Sequence, residues 1–171
     1  MDEQVASEIA SGNFGISGQI TKLAGERNPN FLVTSDAERF ILKIHGVDEV
    51  SQIELQEQVL DHLLDLSMFV TPRTITGLKS DSLVPVGDQQ FARILTWIDG
   101  DLWSQSKDLS DGHKVALGQL IATVDNELAS FDVTKYRSVL DRPFGWNALQ
   151  MPSLANDVEL IKDAELKNHV K

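Results

Sequence analysis

RFILKIH, residues 39–45, decides how the rest of the chain is read. In an extended strand successive side chains face opposite ways, so Phe40, Leu42 and Ile44 share one side while Ile41, Lys43 and His45 share the other. A lysine in the middle of an apolar strand carries a desolvation cost unless an anion meets it. The strand by itself equally admits an edge position, where a lysine blocks association between sheets. Upstream, ISGQITKL (16–23) and NFLVTS (30–35) are also strand-like, separated by GERNP (25–29), with a hairpin turn over residues 35–38 before the lysine strand. Downstream, SQIELQEQVLDHLLDL (51–66) puts Ile53, Leu60, Leu63 and Leu64 on one helical face, with Ser51 and Glu54 spaced as a capping box. Pro72 forces the chain out of that helix, because the residue before a proline avoids the α region. RTITGL (73–78) and FARILTWI (91–98) then complete a predicted five-stranded antiparallel sheet.

The flanks of this core read as helical. Val5 and Ile9, four apart, predict a short amphipathic helix over residues 2–11 that stops at Gly12. Beyond Asp99 and Gly100 the apolar period changes: Leu117, Leu120, Ile121, Val124, Leu128 and Phe131 share one helical face, with Ser110 as cap. Val158, Ile161 and Val170 repeat the signal over residues 154–170. Trp97 and Trp103 read as core or cleft residues, with the core the expectation for either. The change from strands to helices divides the chain into residues 1–100 and 101–171 and makes the fold class α+β.

Composition removes several function classes. The 171 residues carry 26 acidic against 15 basic side chains, a net charge of −11, which opposes a broad phosphate-neutralising surface for nucleic acid. No stretch approaches the ~20 apolar residues of a membrane span, and the acidic start lacks the regions of a signal peptide, so a cytoplasmic location is expected. The chain has no cysteine, which excludes disulfides, thiolate catalysis and cysteine-based zinc sites. The four histidines show no metal-ligand spacing.

Taken in order, ITKLAGERNPNFLV, RFILKIHG, IELQEQVLDHLL, VTPRTI and ARILTWIDGDLW resemble the aminoglycoside phosphotransferase and hydroxylysine kinase families from about Ile16 to Gly100, with a fainter likeness through Trp146. The resemblance implies a protein-kinase-like N-lobe, a five-stranded sheet with one main helix, followed by the first helices of a second lobe. It implies ATP or GTP as bound nucleotide and a small hydroxylated amine or amino acid as acceptor. Lys43 would contact the α- and β-phosphates. Its usual glutamate partner is replaced here by Gln56, while Glu54 and Glu57 read as solvated face residues. Arg27, Asn28 and Asn30, in a loop whose tight turn Gly25 permits, would lie over the phosphates, although the loop alone reads as an ordinary turn. The carbonyl of Thr96 and the amide of Ile98 would face the base. The family's HGDxxxxN loop and later aspartate, which orient the acceptor and hold magnesium, do not occur in the sequence. HGVD at residues 45–48 is a look-alike in the wrong place. The chain is therefore expected to be part of a longer kinase that transfers no phosphoryl group by itself, its helical faces partly uncovered and prone to self-association. The alternative is a non-catalytic binding module that keeps the fold.

Overall fold

A computed structural model of the chain describes residues 1–25, 27–64, 69–106, 109–142 and 157–170. These residues fall into two compact units, Met1–Lys135 and Tyr136–Lys171.

The first unit is built on an antiparallel sheet of β1 (Gln19–Leu23), β2 (Asn30–Thr34), β3 (Arg39–Gly46), β4 (Thr74–Ile75), β5 (Val84–Pro85) and β6 (Gln90–Thr96), ordered β1-β2-β3-β6-β4 with β5 also on β6. The three strands read around the lysine fall where the alternation places them. The sheet has six strands rather than five, because Val84 and Pro85, between the two expected strands, pair with Ala92 and Phe91. The RTITGL segment keeps only two residues of strand, since the amides of Gly77 and Leu78 turn away to the carbonyls of Asp81 and Asn13.

Phe31, Val33, Phe40, Leu42, Ile44, Ala92 and Ile94 line one face of the sheet and form the core with Ala6, Ile9, Ala10 and Phe14 of α1 (Glu3–Phe14). The α1 helix outlasts its expected stop at Gly12. It ends at Gly15, whose φ of 70° supplies the left-handed cap while its N–H bonds the carbonyl of Ser11. Gly18 permits the entry into β1: a Cβ there would lie 2.2 Å from the carbonyl oxygen of Thr34.

The opposite face carries α2 (Val50–Leu63), with Ile53 and Leu63 buried. The expected capping box does not form. A 3-10 turn at Val47–Glu49 leads into the helix and places Ser51 inside its first turn, so Glu49 occupies the capping position without a side-chain bond to the helix. In α3 (Asp111–Leu128) Ser110 caps as expected, accepting from the His113 N–H. The first half of its apolar stripe lies open, with Leu117 and Leu120 each 40% and Ile121 52% exposed, while Val124, Leu128 and Phe131 are half-buried. Trp103, expected in the core, is exposed as well.

The second unit contains α4 (Arg137–Leu140), a 3-10 turn over 157–160 and α5 (Ala164–Val170), with Lys167 paired to Glu159 at 2.6 Å. Of the helix expected over 154–170, residues 154–156 lie outside the described residues, and the rest is this turn and α5.

The fold predicts where stability resides. Leu42→Ala, at a fully buried position between α1 and the sheet, should cost about 2–5 kcal/mol in urea unfolding. Ile98→Ala, at an exposed position, should stay within about 0.5 kcal/mol.

Candidate functional site

Strand register assembles the site on the face that α1 leaves uncovered. Lys43 lies opposite Asn30 on β2 and Arg93 on β6, and in the next same-face row Ile41 lies opposite Leu32 and Leu95. This face therefore carries an apolar row beside a polar row, two residues or about 6.8 Å apart along the strands. His45 continues the polar side at the far end of β3, and α2 approaches it with Gln56 and Glu57.

Unmet hydrogen-bonding capacity concentrates here. Among the described residues, the buried side-chain atoms without a partner are Asn30 Oδ1, His45 Nε2, Glu57 Oε1, and Arg93 Nε and Nη1. Each such atom is costly, on the order of 1–3 kcal/mol, and a cluster of them marks a layer that packing alone does not explain.

Lys43 is half-buried. Burial, and next the neighbouring Arg93 charge, pull its ammonium below the ordinary lysine value, while Glu49 acts in the other direction. Arg93 is only 2% exposed. Its Nη2 donates to the carboxamide oxygen of Gln56, and the charges of Glu57 and Glu49 offset part of its burial cost. Gln56, expected beside Lys43, bonds instead to Arg93, the cross-strand neighbour of that lysine. Glu57 is half-buried and accepts from the Ser82 hydroxyl at 2.8 Å, which corrects its reading as a solvated face residue. Sequence reasoning passed over Arg93 because only the β3–β6 register reveals its neighbour.

A second network ties the β1–β2 loop to β3. Asn28 Nδ2 donates to Glu49 Oε2 at 2.7 Å, and His45 Nδ1 meets the same oxygen at 2.8 Å. Asn28 thus directs its carboxamide to a carboxylate within the chain. Arg27 is exposed in this loop, and its charge reaches Glu49. At Gly25 a Cβ would lie 2.5 Å from the Asn28 carbonyl oxygen, so the close turn requires glycine there. Burial pushes the Glu49 carboxyl up, but the hydrogen bonds from His45 and Asn28 outweigh it and hold the group below its ordinary value. Burial likewise pulls the His45 imidazole below its ordinary value, against the Glu49 hydrogen bond and with the repulsion of Arg93 and Lys43.

At the end of β6, Thr96 donates its N–H to the Arg73 carbonyl and accepts the Arg73 N–H on its hydroxyl, each at 2.9 Å. Ile98, in the connector beyond, is 43% exposed. Asp99 pairs with Arg39 across the start of β3. A depression of about 450 Å³ opens at this end, lined by residues 34–40 with Thr96, Trp97 and Asp99. It includes one expected base-contacting residue but neither Lys43 nor Gln56. Among the described residues no group of three or more His, Asp or Glu side chains could hold a metal ion, and no helix is long and apolar enough to cross a membrane.

Residues 19–168 match the model of the phosphotransferase enzyme family. No curated protein matches the chain. Among solved structures, spectinomycin phosphotransferase APH(9)-Ia in complex with ADP and spectinomycin aligns at a TM-score of 0.62 and 11% identity, over 96% of this chain and 49% of its own. The microcompartment-associated aminopropanol kinase aligns at a TM-score of 0.63 and 17% identity, over 87% of this chain and 46% of its own. Aminoglycoside phosphotransferase APH(4)-Ia aligns at 0.53 and 13% identity, over 78% and 41%. At such identities the likeness establishes the fold, a kinase-like antiparallel lobe followed by helices. The chain spans about half the length of these proteins.

The buried histidine makes stability pH-dependent. Its folded-state affinity for protons lies below the ordinary value of 6.5, so below that pH the unfolded chain binds the proton that the folded chain refuses, and stability falls with pH. Glu49, also depressed, adds loss in the same direction below its ordinary 4.5. The melting temperature should therefore drop from pH 7 to pH 5, and His45→Gln should flatten that part of the profile. An unchanged slope in the variant would contradict the assignment.

Proposed function

The chain belongs to the phosphotransferase enzyme family, and from that membership we propose that its 171 residues form the nucleotide-binding part of a small-molecule kinase. The nucleotide is ATP or GTP, and the acceptor is the hydroxyl of an amino alcohol or hydroxy amino acid, a class that rests on the likeness to hydroxylysine kinases. The observation that carries the reading is the two-row face: apolar Leu32, Ile41 and Leu95 beside cationic Lys43 and Arg93. A purine lies on the first row and its phosphates reach the second, separated by about the span of a sugar.

In such a transfer the acceptor oxygen attacks the γ-phosphorus and the bond to the β–γ bridging oxygen breaks. The nucleoside diphosphate leaves, and the acceptor proton passes to a base. Lys43 binds the α- and β-phosphates, and its half-buried setting strengthens the attraction. The loop of Gly25, Arg27 and Asn28 lies over the phosphates. Asn28 holds that loop on β3 through Glu49, and Arg27 adds positive charge at its tip. The Thr96 carbonyl and Ile98 amide take the edge of the base where β6 ends. Magnesium accompanies the nucleotide in this chemistry, but the described residues gather no ligand set for it, so no step is assigned to the metal. The acceptor base is assigned to no residue of the chain, and we place the boundary between nucleotide lobe and helical lobe near residue 100.

Calorimetric titration of the protein with ATP or GTP in the presence of magnesium tests the role of Lys43. Lys43→Ala should weaken binding by about 1.5–3 kcal/mol, the worth of one charge-assisted contact, and lower folding stability by less. Equal affinity in variant and parent would refute the phosphate role.

A further inference from the structure

We propose that Arg93 is a positioning residue of the nucleotide site, tying helix α2 to the sheet through Gln56 so that Lys43 needs no partner from the helix. The proposal rests on the reading of Lys43 as a phosphate ligand. Lys43 and Arg93 are direct cross-strand partners in an antiparallel ladder, which brings their side chains together on one face. Like charges so placed repel, and each needs a counterpart. Arg93 finds it in α2: buried in the layer, it donates to Gln56 Oε1, and the Glu57 charge on the next helical position acts on it as well. Glu57 in turn holds the β4–β5 loop through Ser82. Among the described residues Lys43 makes no ion pair, so its ammonium remains available to an anion.

This arrangement explains why the helix presents an amide where a carboxylate would be expected. A glutamate at position 56 would meet the Arg93 fork as a charge-assisted, bidentate partner. It would hold the helix more firmly, but it would also cancel positive charge next to Lys43, where the phosphates bind. Glutamine accepts the arginine's hydrogen bond and leaves the field on the phosphates intact. Gln56 therefore combines two demands, a seat for α2 and a cationic face, that a carboxylate would set against each other.

Two readouts test the proposal separately. Amide hydrogen exchange across α2, measured without nucleotide, reads the tie itself. Gln56 is an exposed helix residue, so its variants should fold. Gln56→Leu and Arg93→Met should each speed α2 exchange by about tenfold, the worth of one hydrogen bond to a charged group, and the double variant should be no faster than either. Arg93→Lys should recover part of the protection, and Gln56→Glu should slow exchange below the parent rate. Calorimetry with ADP reads the coupling to the site: Gln56→Glu should weaken ADP about tenfold despite its firmer helix. Tighter ADP binding by Gln56→Glu would overturn the proposal, since it would mean that a carboxylate on α2 organises Lys43 directly. Additive effects of the two single variants on exchange would overturn the tie. Loss of ADP binding in Lys43→Ala supports the nucleotide reading, whereas unchanged binding there would sink that reading and the site half of this proposal while the exchange data still judged the tie.

Discussion

Two cations side by side on neighbouring strands are the constraint around which this molecule is arranged. The β3–β6 register places a half-buried Lys43 beside a buried Arg93, and such a pair is unfavourable until other groups answer it. The answers come from the helix and the turn that border the face: Gln56 and Glu57 from α2, and Glu49 from the turn before it. They are incomplete, because a neutral amide meets the arginine and, among the described residues, no carboxylate pairs with the lysine. Among the described residues Lys43 is left without an ion pair on a chain whose overall charge is −11, and the proposed nucleotide phosphate would supply that missing counterpart.

The other face of the sheet makes this polar layer affordable to the fold. Leu42 and Ile44, flanking Lys43 in sequence, point into a dry core closed by α1, so one strand supplies both the main apolar anchor and the candidate ligand. Separation of roles by strand parity lets the site remain only partly satisfied while the core holds the backbone in place. The His45–Glu49–Asn28 network extends the same logic to the β1–β2 loop, fixing it on β3 by two bonds to a single carboxylate oxygen.

Much of this was legible in the sequence because it is local. Strand alternation gives the faces of β3, apolar spacing gives α2 and α3, and the order of segments gives the family. What was not legible depends on pairing between distant segments. Arg93 is an arginine in an apolar strand until the register sets it against Lys43. Asn28 reads as a loop donor until Glu49, 21 residues on, captures it. Glu57 looks like a surface residue until Ser82 reaches it. The misplaced stop of α1 and the absent capping box on α2 have the same cause: a local motif yields when the backbone ahead of or behind it has a better use for its groups. Gly15 offers the left-handed cap that Gly12 does not, and the 3-10 turn before α2 moves Ser51 inside the helix.

The central claim is that the Lys43 face receives the phosphates of a nucleotide, and affinity labelling addresses it most directly. An acyl-phosphate derivative of ATP transfers its acyl group to a lysine held at the phosphates, and peptide mass spectrometry locates the modified residue. The account predicts that Lys43, whose ammonium is already depressed by burial and by Arg93, takes the label, and that unmodified ATP or GTP suppresses it. Labelling confined to exposed lysines such as Lys22 and Lys79, or labelling of Lys43 that excess nucleotide leaves unchanged, would contradict it.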